Sequence, residues 1–357
     1  MNEQNTRVTF TGERIMECLY GENPQQRPAG FYSAPQNDHP LSLKKFKLVE
    51  GKPLSYNNLC DQDRLLQTMT HVVAAMEINN FIAKFPFIAL AVKHGNLCAA
   101  AWSSFDSNAA LRKMIEFGHR GDIMGGLVMT NFQIRKDDAD ILAHHLLLPG
   151  EERRKVDAVF APAFEEGARE ELRRVKDNCR FCVNPALAEI SKESLDSTMR
   201  FRYTFGGDFL MQRNYTFVPN LRDPAIVTCR GVVDEEGIAE LAFGWAIGST
   251  SNSNTIVLVH DRALVGLGAG QMSRVGAFNL ASARCRDAGQ TPIGSFVYSD
   301  SFFPFDDAPR QIIEAGAKAI FTSEGGIHFA DTVKVCEENG VPLLTVLDTV
   351  GRGFFGH

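Results

Sequence analysis

The sequence predicts an α/β protein made of two similar halves, and three observations carry that expectation. Short apolar runs of β type alternate with amphipathic stretches along most of the chain. A segment of different texture interrupts the alternation near residue 200. Four polar blocks beside glycine or proline stand where those apolar runs end, which is how a rigid scaffold presents chemistry. With 357 residues the chain exceeds one ordinary core, so two domains are expected, 1–199 and 200–357.

In order, the strand-like runs are FIALAV, GGLVMT, AVFAPAF, AIVTCR, TIVLVH, ALVGLG, GSFVYS, AIFTS and PLLTVLD. They are short and continuously apolar, as buried central strands are. Helical patterns fall at 109–117, 137–148, 164–175, 277–288, 309–315 and 330–338, with a further helix carrying 190–198. After it, MRFRYTFGGDFLMQRNYTFVPN reads as extended strands around a turn at Gly206–Gly207. The alternation then resumes, which places the boundary near residue 200.

Composition excludes several classes. Hydrophobic content of 44% with 22% charged residues is that of a globular chain. The longest apolar run, 81–92, is broken by Lys84 and Pro86 and falls short of the ~20 residues a membrane span needs. No apolar leader segment opens the sequence, so a cytoplasmic protein is expected. A net charge of −6 argues against a nucleic-acid binder. Arg153–Lys155 and Arg173–Arg174 lie among glutamates and read as solvated helix faces. An anionic ligand would therefore need specific arginines and lysines to hold it against the overall field. Eight scattered cysteines read as buried free thiols. Cys179 and Cys182 form one C-x-x-C with no second pair at ligand spacing, so no metal is expected.

Four blocks carry the chemistry. In VKHGNLC, Lys93 and His94 end an apolar strand ahead of Gly95. Neighbours on a strand face opposite ways, so both reach one site only where the strand stops. There they would supply a cation and a general acid/base of near-neutral pKa; otherwise they are a surface lysine and a hydrogen-bonded histidine. GLGAGQMSR, residues 266–274, follows a strand and opens a helix. Its amides could face an anion at a helix N-terminus, or the glycines could simply make a tight strand-to-helix turn. It fits neither the P-loop nor the dinucleotide fingerprint. SDSFFPF sets Asp300 beside Phe302, Phe303, Pro304 and Phe305. That cluster suits a flat heterocycle with N–H donors, or else core packing with Asp300 capping the helix near Asp307. The fourth block is YGENPQQ at 20–26, and an aromatic tail, GRGFFGH, closes the chain and should be packed down.

Taken together and in this order, YGENPQQ, GKPLSYNNLCDQD, VKHGNLCAA, SNSNTIV, GLGAGQMSRV, SDSFFPFDD and GRGFFGH resemble the transformylase portion of the bifunctional purine-biosynthesis family, which formylates aminoimidazole carboxamide ribonucleotide (AICAR). The resemblance runs from about Tyr20 to His357. It implies two cytidine-deaminase-like α/β subdomains, and the absence of H-x-E and P-C-x-x-C implies that they work without zinc. Only nineteen residues precede the first block, so a stand-alone transformylase without the cyclohydrolase domain is expected. The segment before SDSFFPF is also shorter than in the family.

What the resemblance implies for chemistry is specific. The weakly nucleophilic 5-amino group of AICAR attacks the formyl carbon of 10-formyltetrahydrofolate. His94 would remove the amine proton and polarise the formyl oxygen, while Lys93 stabilises negative charge and helps protonate the leaving nitrogen. Asn254 would orient the formyl group. Tyr20, Gly21, Arg274 and Arg352 would bind the nucleotide, and Asp300, Phe302 and Phe303 the pterin. A homodimer with active sites at its interface is implied. The departures are Leu19 in place of a cation before the YG, for which Arg14, Arg27 or Lys52 would have to substitute, NLCA in place of NPCG, Asn252 in place of a lysine, and one extra residue before His357. A regulatory relative that binds nucleotide without turnover is the second reading; a zinc deaminase is the third.

Overall fold

The computed structural model describes residues 7–81 and 86–357. The opening six residues and the 82–85 part of the long apolar run lie outside the described residues. An antiparallel hairpin, β1 (Glu13–Cys18) and β2 (Ala29–Ser33), comes first, followed by β3 (Lys47–Glu50) and a long helix α1 (Tyr56–Ile78). Then come β4 (Phe87–Lys93), β5 (Asn96–Ser103), α2 (Ser107–Phe117), α3 (Arg120–Ile123), β6 (Leu127–Thr130), α4 (Lys136–His144), β7 (Ala158–Ala161), α5 (Ala168–Leu172) and β8 (Arg180–Val183). The hairpin β9 (Met199–Tyr203) and β10 (Phe209–Arg213) follows, turning at Gly206–Gly207 as the sequence predicts. The second half holds β11 (Val227–Arg230), α6 (Glu235–Ser249), β12 (Ile256–His260), β13 (Ala263–Gly268), α7 (Arg274–Asp287), β14 (Phe296–Ser299), α8 (Asp307–Glu314), β15 (Ala319–Glu324), α9 (Phe329–Glu338), β16 (Leu343–Leu347) and α10 (Asp348–Gly351).

Among the described residues, twelve strands form one mixed sheet in the order β11-β16-β15-β14-β12-β13-β5-β4-β6-β7-β8-β3. The halves repeat one another strand for strand. Each opens with an antiparallel hairpin, β4–β5 or β12–β13, whose first strand is also antiparallel to the next, β6 or β14. Two parallel strands and an antiparallel edge strand complete each set. The join is a single antiparallel pairing, Ala101 opposite Ala263, where small side chains bring β5 and β13 together.

Neither α1 nor α6 is among the helices the alternation predicts, yet both are central. They cover one face of the sheet across both halves, in one continuous apolar core that includes Leu65, Met69, Trp245 and Ile247. Every residue of α6 from Gly237 to Ser249 is buried. A helix apolar all round has no period to betray it. The opposite face carries two separate cores, one under α2 and α4 and one under α7 and α8.

Several expectations fail locally. Residues 190–198 are not helical: short 3₁₀ turns occupy Pro185–Glu189 and Lys192–Ser194, and Ile190 between them is extended. Reciprocal side-chain bonds between Ser191 and Ser194 stabilise that turn instead. The helix expected over 164–175 shrinks to α5, because Gly167 sits at φ +83° just before it. Arg153–Lys155 are not on a helix, and Arg154 is buried, donating to the carbonyls of Leu142 and His145. Five of the eight thiols are buried, but Cys60 and Cys229 are exposed. Cys179 and Cys182 are buried, and burial pushes both thiols up to about 12. No helix among the described residues is long and apolar enough to cross a membrane.

Glu240, on α6, is 1% exposed. One carboxyl oxygen accepts the Arg262 N–H at 2.7 Å and the other has no partner. Burial above all, with Asp261 and Glu236 nearby, raises its pKa to about 7. The folded state thus holds this proton more tightly than the unfolded chain, so stability is lost as pH rises from the ordinary glutamate range through 7. The full cost is on the order of 3 kcal/mol. Glu240→Gln should therefore gain stability over the wild type progressively between pH 5 and 8 in urea unfolding. A pH-independent difference would mean that Glu240 is not held neutral.

Candidate active site along one sheet edge

The site residues converge because of register. Lys93 pairs with Asn96 at the closed end of β4–β5. Continuing the β13–β5 register from Ala263 and Ala101 puts Gly268 level with Asn96. Gly268 opposes Ile256, and Ile256 opposes Ser299. His94, the 268–274 turn, Asn254 and Asp300 therefore stand along one edge of the sheet.

His94 and Gly95 are the two turn residues between β4 and β5, at φ +53° and +74°, as a tight hairpin turn of the primed type requires. The strand ends where the sequence reading needs it to end. His94 is exposed; Lys93 is half-buried and donates from Nζ to the Met124 carbonyl at 2.9 Å. The turn is pinned from α1, where buried Asp61 accepts the Gly95 N–H at 2.6 Å. Burial raises the Asp61 carboxyl, with the Gly95 and His94 amides opposing that rise. Asp61 is the first of the two acids in GKPLSYNNLCDQD. The sequence shows the block without showing what the acid does.

On one side of this turn lies a cavity of about 490 Å³ lined by Asn254, Arg274, Phe302, Pro304, Phe305 and Asp307, among others. Asn254 donates to the Gln271 carbonyl at 2.7 Å, and its side-chain oxygen accepts from Arg274 Nη1. The same guanidinium pairs with Asp300 at 2.9 Å. Asp300 is 1% exposed and also accepts the Thr255 N–H at 3.1 Å. Burial raises its pKa against the opposing pull of Arg274 and Ser253, and burial likewise lowers that of Arg274. Asp300 does not cap α8; Asp306 occupies that end. Phe302 borders the cavity, while Phe303, 1% exposed, points into the core. Arg352 lies beyond, paired with Asp348 and 5.8 Å from the Phe302 ring centre.

The glycines of GLGAGQMSR answer the alternative posed by the sequence. A Cβ at Gly268 would lie 1.9 Å from the Ala277 carbonyl oxygen, and one at Gly266 2.4 Å from that of Ala281. They let α7 lie flush on β13, and Ser273 caps the helix by accepting the Gly276 N–H. The tight strand-to-helix turn is the structural role of this block.

Tyr20 lines a second cavity, of about 660 Å³, with Leu19, Arg27, Lys52, Ser55 and Arg180 among its other residues. Gly21 borders the open space next to it. Of the cations able to offset Leu19, Arg27 and Lys52 are at this cavity and Arg14 is not among its lining residues; Arg180 joins them without having been anticipated. Arg180 opens β8, three strands from β4, and Asn254 precedes β12, three strands from β4 on the other side. At ~4.8 Å per strand the His94 turn stands roughly 14 Å from each. The two cavities thus flank it. Separately, Asp140, His144 and Glu171 form an exposed group whose ligand atoms lie within 4.8 Å of one another.

The arrangement is a candidate α/β site in which the Lys93–His94 turn stands on the same sheet edge as two cavities, roughly three strands from each. Residues 1–284 match the model of the AICARFT/IMPCHase bienzyme family. The chain is 33% identical over 342 residues to the bifunctional purine biosynthesis protein PurH of Nostoc punctiforme, covering 96% of this chain and 59% of that protein. It is 33% identical over 345 residues to PurH of Cutibacterium acnes, covering 95% and 58%, and 31% identical over 350 residues to PurH of Cereibacter sphaeroides, covering 96% and 60%. The chain belongs to the AICARFT/IMPCHase bienzyme family. It spans rather less than two thirds of the length of these relatives.

The Arg274–Asp300 pair is nearly dry, so removing one member leaves the other buried without its partner. Arg274→Met should cost about 3–5 kcal/mol in urea unfolding at pH 7, and the double variant with Asp300→Asn should recover part of it. A single-variant cost below ~1 kcal/mol would show that water reaches the carboxylate.

Proposed function

We propose that this chain transfers the formyl group of 10-formyltetrahydrofolate to the 5-amino group of AICAR, as an enzyme of purine biosynthesis. What supports the reading is that the Lys93–His94 turn shares one sheet edge with two cavities, roughly three strands to either side of it. The Tyr20 cavity, with Arg27, Lys52 and Arg180 at its wall, suits a ribotide phosphate, for which guanidinium groups are good partners. The Phe302 cavity, part aromatic and part amide, suits the folate.

In the proposed step the amine nitrogen forms a bond to the formyl carbon and His94 takes a proton from it. The oxyanion collapses, the bond to the folate nitrogen breaks, and that nitrogen receives a proton with help from Lys93. Asn254, locked between Gln271 and Arg274, orients the carbonyl. Proton transfer of this kind is worth roughly 10²–10⁴-fold, and one oxyanion donor about 10²–10³-fold. Asp300 is paired with Arg274 and Phe303 faces the core, so we assign pterin contact chiefly to Phe302 and its neighbours, with Asp300 acting through Arg274. Tyr20 and Gly21 are proposed as nucleotide contacts at the first cavity; Arg274 and Arg352, which stand at the Phe302 cavity, are proposed to reach a nucleotide only across the dimer, and no metal enters the scheme.

We read the halves as two cytidine-deaminase-like subdomains, 1–199 and 200–357, in keeping with their identical strand pairing. We also propose a homodimer with the site at its interface. His94 is exposed, and Leu19, Met272, Phe305 and Ile327 leave 58–102% of their surface open.

Tetrahydrofolate release from AICAR and 10-formyltetrahydrofolate tests the reading. Wild-type protein should turn over. His94→Ala should lose at least ~10³-fold in kcat and keep nucleotide affinity within about tenfold. AICAR binding with no turnover by the wild type would favour the regulatory relative. If sites are shared across a dimer, mixing His94→Ala with Asn254→Ala should restore part of the activity; no recovery in mixed dimers would overturn the shared site.

A further inference from the structure

The C-terminal tail is bonded to the turn that carries Asn254. The Phe355 N–H donates to the Ser251 carbonyl at 2.8 Å, and the Ser253 N–H donates to the Gly356 carbonyl at 2.9 Å. Asn252 and Gly356 form an isolated β-bridge. Asn254 is thus held from two sides: the glycine turn through Gln271, and the tail through Ser253.

The tail in turn is gripped at one ring. Two guanidiniums lie over the Phe355 ring, Arg64 of α1 at 4.2 Å and Arg200 of β9 at 3.5 Å from its centre. Each also bonds main chain: Arg200 donates to the Phe355 carbonyl, and Arg64 to the Thr250 carbonyl at the base of the same turn. Arg202 adds a bond to the His357 carbonyl at 2.8 Å. A ring's negative face attracts cations, and Asp63, within electrostatic reach of both, offsets their mutual repulsion. Three separate parts of the chain therefore meet on one phenylalanine.

We propose that Phe355 is a positioning residue, the wedge through which Arg64 and Arg200 hold the tail against the 251–254 turn and so fix Asn254. Its catalytic consequence rests on the formyl-transfer reading; its structural consequence does not.

Phe355→Ala should lower kcat about tenfold while the nucleotide KM changes less than about threefold. In hydrogen exchange, the Ser253 and Asn254 amides should exchange about tenfold faster, with the α6 core unchanged. Phe355→Tyr should restore both readouts, and Phe355→Leu, which fills space without a ring face, should not. Wild-type exchange at Ser253 in the alanine variant, full rescue by leucine, or a protection loss spread evenly over the chain would each overturn the proposal. If Phe355→Ala does not fold, Arg200→Met, which removes one cation and keeps the ring, is read in the same way. Were the wild type inactive toward AICAR, exchange alone would decide the wedge and only the functional reading would fail.

Discussion

The constraint that organises this molecule is the antiparallel join between β5 and β13. Because the two central strands run opposite ways, the halves are related by a rotation within the sheet, and equivalent strand ends face opposite edges. The carboxyl ends of β14, β15 and β16 therefore share an edge with the β4–β5 turn, while those of β6, β7 and β8 face away. One edge of a twelve-stranded sheet collects the turn of one half and the strand ends of the other. A parallel join would scatter them.

The repeat also shows which features are scaffold and which are site. By register, Thr130 corresponds to Ser299, Asn131 to Asp300 and Ile88 to Thr255. Asn131 accepts the Ile88 N–H at 2.8 Å as Asp300 accepts that of Thr255, and the Thr130 hydroxyl bonds the Phe132 carbonyl as Ser299 bonds that of Ser301, both at 2.8 Å. The hydrogen bonds that close the end of the third strand are common to both halves. The charge is not: an amide stands where the other half has a carboxylate, and Ser107 opens α2 where Arg274 opens α7. The buried ion pair is an addition to a shared scaffold on one edge only. Since a buried pair is weak support for stability, its presence there points to the site.

Much of this was legible in the sequence, for physical reasons that differ by element. The apolar strand runs announced themselves because a buried strand needs no alternation, and all nine became sheet strands. The Lys93–His94 ending was legible because glycine follows it. Helix α6 was hidden by being apolar on every face, and α1 by the polar residues its first turns present to the site edge. The 190–198 segment carried helical residue types but had serines able to satisfy the backbone locally. Asp300 showed its neighbours without showing its partner, because Arg274 lies 26 residues away in sequence and meets it only through the β12–β14 pairing. Arg180 was invisible for a similar reason: its position at the Tyr20 cavity depends on β8 and the 52–55 segment meeting beneath the first hairpin.

The cations make the last connection. The chain is net acidic, yet Arg27, Lys52, Arg180, Lys93, Arg274 and Arg352 all come to the same edge. Two of them are already committed, Arg274 to Asp300 and Arg352 to Asp348, and Lys93 is bonded only to a carbonyl. The uncommitted positive charge therefore lies toward the Tyr20 cavity, and the compensated charge toward the Phe302 cavity. An anionic ligand is favoured at the first and a largely neutral one at the second, which is the order the proposed ribotide and folate would need. On the formyl-transfer proposal, that polarity would also orient the reactants, bringing the amine and the formyl carbon toward the imidazole from opposite sides. With Leu19 supplying no charge, this ordering depends on Arg27, Lys52 and Arg180, three cations drawn from three separate segments. The fold that gathers them, rather than the block around Tyr20, is what concentrates positive charge at this end of the edge.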